Sequence, residues 1–176
     1  MCVCVQVSQI MKQVSENSWA EDAESMLAPL LADLTTRFCS GNRWMLRQSY
    51  VNICNQLVTD RALPLEEFGK LLLAPLLALK QDRVPNVRLV LARVINFQLK
   101  YHGIIQIIFF FFSKSYQFCF AEFFAGSDSP YRESLDETLN QLSADEDRDV
   151  SYYATVKRDQ LQMTSDALQP VEENTA

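Results

Sequence analysis

Apolar residues recur along this chain every three or four positions, in paired stretches separated by short polar turns. In the first pair, Met26, Leu27, Leu30, Leu31 and Leu34 make one helical stripe; "CSGNR" then leads into "WMLRQSYVNICNQLV", where Leu46, Tyr50, Ile53, Cys54, Leu57 and Val58 share a face. In the second pair the stripe is Phe68, Leu71, Leu72, Leu76 and Leu79. The turn "QDRVP" follows, then "NVRLVLARVI" with Val87, Val90, Leu91, Val94 and Ile95 on one side. A weaker third pair places Leu135, Leu139 and Leu142 on one helix and Val150 and Ala154 on the next.

The pairs are related to one another. "LAPLLADL" at 27–34 returns as "LAPLLALK" at 73–80, six identical residues at an offset of 73 − 27 = 46. Pro29 and Pro75 recur within it, which predicts a helix bend built into each copy. Pro85 stands where a second helix begins, a position that tolerates a missing N–H, and Asp82 lies near the positive end of that helix. Aligning Val150 with Val87 puts Asp145 on Asp82 and Leu142 on Leu79. Paired helices repeating every 40 to 47 residues are the pattern of a HEAT-type α-solenoid. The expected fold is therefore all-α, with about three helix-turn-helix repeats interrupted by an apolar insert.

The interruption is visible as arithmetic. The second-helix marker steps from Leu46 to Val87, 41 residues, and then from Val87 to Val150, 63, so the surplus is 63 − 41 = 22. It falls on the stretch containing "GIIQIIFFFFSKSYQFCF". Its nearly unbroken apolar run, 104–112, is shorter than the roughly 20 residues of a membrane span. Phenylalanine codons are pyrimidine-rich, so the run is also what a retained intron yields. The expected organisation is an N-terminal segment of uncertain status at 1–18, two repeats at 19–96, the insert at 97–121, a third degenerate repeat at 122–156 and a disordered tail at 157–176.

Composition narrows the function. A net charge of −6 argues against a nucleic-acid or anionic-membrane partner, and 4 Gly in 176 residues favours helices over sheet. Five scattered cysteines form no C-x-x-C pair, and one histidine, His102, supplies neither a zinc site nor a catalytic base with partners. No G-x-S-x-G, G-x-G-x-x-G or P-loop is present. The expectation is a binding protein, not an enzyme, with no cofactor, metal or small-molecule ligand. The N-terminus lacks a basic region before its short apolar run, which makes a poor secretory signal and points to cytoplasm or nucleus.

Residues 43–94 resemble the last HEAT repeats of the serine/threonine-protein phosphatase 4 regulatory subunit 1 family. That family's "NDRVPNVR" turn stands here as "KQDRVPNVR", its "LP-x-x-x-F" lead-in as Leu63, Pro64 and Phe68, and its acidic turn with an aromatic pair as "DEDRDVSYYA". The resemblance covers about 40–96 and 122–168. It implies a non-catalytic regulatory or scaffold subunit whose repeat turns hold a phosphatase catalytic subunit, of phosphatase 4 type, and position substrates. The alternative is a HEAT adaptor for another partner, such as a transport cargo. Carried onto this chain, the partner-binding turn residues are Asn42, Arg43, Trp44, Arg47, Asp82, Arg83, Arg88, Asp147 and Arg148. Two readings stay open for Arg47 and Arg88: contact with an acidic partner, or an Asp–Arg ladder between repeats with Asp82 as a partner. Trp44 is either an interface anchor or packing between repeats. Ser151 stands where the second repeat has Arg88, which breaks a continuous basic ridge.

Overall fold

In the computed structural model, residues 3–17, 22–100 and 120–156 are described, and they form helices joined by short turns with no strand among them. Most of the insert, 101–119, and the tail, 157–176, lie outside the described residues. The first hairpin pairs α2, Asp22–Leu34 with a π-helical extension Thr35–Cys39, and α3, Trp44–Asp60. In the second, α4 runs from Leu65–Phe68 through a π-helical turn Gly69–Leu73 into Ala74–Ala78 and a last 3-10 turn, Leu79–Gln81. Its partner α5 spans Pro85–Val94 and continues as Ile95–Lys100. After the short α6, Phe120–Ala125, the third hairpin pairs α7, Arg132–Ser143, with α8, Arg148–Thr155. Before them all, α1, Val3–Asn17, packs on α3 and α2.

The hairpins stack in two layers. The second helices α3, α5 and α8 lie against each other in order, and the first helices α2, α4 and α7 form the other layer. Between the layers runs one continuous apolar core, with Tyr50, Ile53, Leu57, Leu72, Leu76, Leu91, Leu135 and Val150 buried. This is the solenoid logic: no hairpin covers its own apolar face, so each is completed by its neighbour. The stack is anchored at the N-terminal side by buried Ser8 of α1, whose hydroxyl donates to Asp60 at 2.7 Å.

Most stripe residues expected from periodicity are buried; Leu46, Leu71 and Val90 are half-buried, and Leu30 is the instructive exception. Leu27, Leu31 and Leu34 face the core, but Leu30 is 40% exposed; Met26 lies outside the described side chains. The cause is that the two "LAPLLA" copies are not equivalent in space. The turns align at the 41-residue spacing, so Leu27 and Leu31 match Phe68 and Leu72, all four buried. Pro29 precedes Gly41 by 41 − 29 = 12 residues and Pro75 precedes Asp82 by 82 − 75 = 7. The proline bend is thus not a common part of the unit. Before Pro75, the widened turn at Gly69–Leu73 opens the helix where the ring would meet the carbonyl of Leu71.

The helices flanking the insert are tied into the stack. Helix α5 continues past residue 96, with Leu99 fully buried and Lys100 bonded to Asp136 at 2.8 Å. Phe124 of α6 is buried among Phe68, Phe123 and Tyr131, with ring centroids 5.8, 4.9 and 5.6 Å away. Tyr131 in turn lies across buried Gly69, where a Cβ would stand 2.6 Å from the ring. Asn96, also buried, donates from Nδ2 to the carbonyls of Tyr153 and Val156, both at 2.9 Å, and so satisfies the open C-terminal end of α8.

Candidate functional site

The three turns inside the hairpins, at 40–43, 82–84 and 145–147, are joined by two arginines. Arg47, in the first turn of α3, donates from Nη1 to the carbonyls of Gly41 and Asn42 at 2.8 and 3.1 Å. Its Nε and Nη2 form a two-pronged bond to the Asp82 carboxylate in the second turn, the Nη2 bond being 3.0 Å. Arg88, at the same place in α5, donates from Nη1 to the Asp82 carbonyl at 2.6 Å and grips Asp145 at 2.7 and 2.8 Å. Each guanidinium therefore closes its own turn and clamps the next.

The carboxylates are prepared for this. Asp82 also accepts from the N–H of Val84, and Asp145 from that of Asp147, both at 2.9 Å. Burial raises the carboxyl of Asp82, but the Arg47 hydrogen bond, the Val84 N–H and the Arg47 charge outweigh it and hold it below the usual carboxylate range. At Asp145 the Arg88 hydrogen bond dominates, and that carboxyl is likewise lowered. Both arginines are pushed up in turn, chiefly by the same bonds.

Both ends of the ladder have a physical stop. Gly41 holds the place of Asp82 and Asp145, since 82 − 41 = 41 and 145 − 82 = 63 are the two hairpin spacings. A Cβ on Gly41 would meet the Arg37 carbonyl at 2.9 Å, so no carboxylate fits there. At the other end Ser151 replaces the arginine and turns its hydroxyl back to the Ser143 carbonyl at 2.6 Å.

Of the residues expected to contact a partner, Arg47, Asp82 and Arg88 are thus engaged within the chain, Asp82 and Arg88 being buried. Asp147 caps α8, accepting from the N–H groups of Asp149 and Val150 at 3.0 and 3.2 Å. Asn42, Arg43, Trp44, Arg83 and Arg148 are exposed along the edge that the ladder aligns. Trp44 is 39% exposed, and Met45 and Tyr152 add further apolar surface at 56% and 47%. Sequence reasoning did not single out Asp145 as a site residue, although its alignment with Asp82 was the signal. Met45 carried none. The edge offers cations, a tryptophan and a flexible methionine, side chains suited to protein contact. Among the described residues no group of His, Cys, Asp or Glu could hold a metal ion, and no helix is long and apolar enough to cross a membrane.

Comparison with known proteins gives one consistent likeness. The chain is 30% identical over 139 residues to the serine/threonine-protein phosphatase 4 regulatory subunit 1 of mouse, and equally to those of rat and human. The match covers 79% of this chain and 13% of each relative, so the chain spans a small part of their length. No family profile matches, and no solved structure does.

Proposed function

We propose that this chain is a HEAT-type module that serves as a non-catalytic regulatory or scaffold piece of a protein serine/threonine phosphatase of phosphatase 4 type. Its turn edge, carrying Asn42, Arg43, Trp44, Arg83 and Arg148, holds the catalytic subunit and thereby positions substrates. The mechanism is one of placement. The ladder fixes the rotation of each hairpin on the next, and so fixes the spacing of the exposed turn residues before the partner arrives. Pre-ordering of this kind limits the entropy lost on binding. The observation that carries the reading is the likeness to phosphatase 4 regulatory subunit 1 over four fifths of the chain.

The test is capture of a purified phosphatase 4 catalytic subunit by the full chain, beside the catalytic subunit of phosphatase 2A. Retention of the first, and its loss in a Trp44→Ala, Arg43→Glu double variant that melts like the parent, is the expected result. Failure of the parent chain to retain it would overturn the reading.

A further inference from the structure

Between α3 and α5 lies an open groove of about 410 Å³. Gln48, Asn52 and Asn55, four and three residues apart, line it from α3; Arg93, Phe97 and Gln98 line it from α5. Val90 and Val94 complete the wall. Two of its polar atoms are anomalous. Asn55 Oδ1 and Gln98 Oε1 are shut off from solvent and have no hydrogen-bond partner. A buried acceptor left without a donor is costly, and native structures hold few of them. Both side chains are only half-buried, and terminal amide torsions are broad, so a modest rotation turns either oxygen into the groove.

We propose that this groove binds an extended segment of a partner protein, main chain against the amides, with an acidic side chain on Arg93. Each peptide unit carries one N–H donor and one C=O acceptor, and a carboxamide offers the complementary pair. The α3 amides are separated by about 4.5–6 Å along the helix axis, at 1.5 Å per residue. Equivalent peptide groups on one side of an extended chain recur every ~6.6 Å, a spacing of the same order. At the far end Arg93 is exposed, its guanidinium 5.0 Å over the Tyr153 ring, and Phe97 meets the same ring edge-on at 6.3 Å. A guanidinium over an aromatic face can still present N–H donors to a carboxylate. The widened π-helical turn Ile95–Lys100 carries Phe97 and Gln98 into this position, and such turns concentrate at functional sites. A nucleic-acid strand is a poor occupant for a chain of net charge −6 with one arginine on this wall.

The inference rests on the groove alone and stands whether or not the turn edge holds a phosphatase. Its test is selection of a random dodecapeptide phage library on the full chain, with enriched peptides resynthesised carrying fluorescein for polarisation titrations. The groove predicts enriched peptides that contain Asp or Glu. Their affinity falls tenfold or more in Asn55→Leu and in Arg93→Ala and is unchanged in Trp44→Ala. Methylating the peptide's central backbone nitrogens abolishes binding. Asn55 Oδ1 accepts no hydrogen bond from within the chain, so Asn55→Leu melts at or above the parent temperature, which a merely structural asparagine would not allow. Absence of any enriched sequence overturns the proposal. So does an enriched peptide that binds the groove variants as tightly as the parent.

Discussion

Replacing Arg88 by alanine removes three donors at once: 2.7 and 2.8 Å bonds to Asp145 and a 2.6 Å bond to the Asp82 carbonyl. The side chains of the pair are 9% and 8% exposed, so water cannot readily replace what is lost. Breaking a buried pair from one side costs about 3–5 kcal/mol, and the lower end applies because Asp145 keeps the Asp147 N–H. A loss of about 3 kcal/mol corresponds to a fall of roughly 6–12 °C in melting temperature for a chain of this size. Urea and thermal unfolding of Arg88→Ala, Asp145→Ala and the double variant form a cycle. The double variant should be less destabilised than the sum of the singles by about 2 kcal/mol. Arg37→Ala is the control, since its pair with Asp33 is an exposed i,i+4 contact worth about 0.5 kcal/mol at most. An Arg88→Ala loss no larger than that of Arg37→Ala, or strict additivity in the cycle, would refute the ladder as the element that joins the hairpins.

Acid provides an independent reading of the same ladder. Asp82 and Asp145 titrate lower folded than unfolded, so their contribution is complete above the ordinary carboxylate pKa near ~3.9 and disappears as pH falls through the folded values; Asp145→Ala should flatten stability against pH in that acid range. Asn96→Leu should cost about 2–3 kcal/mol in urea unfolding, because two carbonyls at the end of α8 lose their donor in a buried place. Arg61, which ends α3 at φ 52, holds a left-handed conformation that suits glycine, and Arg61→Gly should raise stability by about 0.5–1 kcal/mol in the same assay. Leu31→Ala should cost about 2–5 kcal/mol while Leu30→Ala stays near neutral, since Leu31 is 1% exposed and Leu30 faces solvent.

The helix-turn-helix rhythm was legible because each hairpin's second helix buries one stripe, and that stripe repeats at a fixed distance from a turn with its own chemistry. The ladder was partly legible: Asp82 and Arg88 stand six residues apart around a proline, and Asp145 keeps the acidic half of that pattern. Its course from Arg47 to Asp82 crosses hairpins, one of the two readings the sequence leaves open for Arg47. The recurring "LAPLLA" misled for a physical reason. Identity of side chains does not fix helical phase when a π-helical turn intervenes, so Leu30 and Leu76, matched in sequence, end outside and inside. The groove was illegible because its unpartnered acceptors depend on the approach of α3 to α5. Gln98 also lay within the segment, 97–121, that periodicity set apart as an insert, yet the helix runs through it to Lys100.

Hydrogen exchange of the full chain, alone and with the phosphatase 4 catalytic subunit, tests the docking edge most directly. Slowed exchange confined to residues 40–47, 82–88 and 145–152, the three turns and the first turns of α3, α5 and α8, is the predicted result. A catalytic subunit that binds while leaving those three stretches unprotected, or protects only the layer formed by α2, α4 and α7, would contradict it.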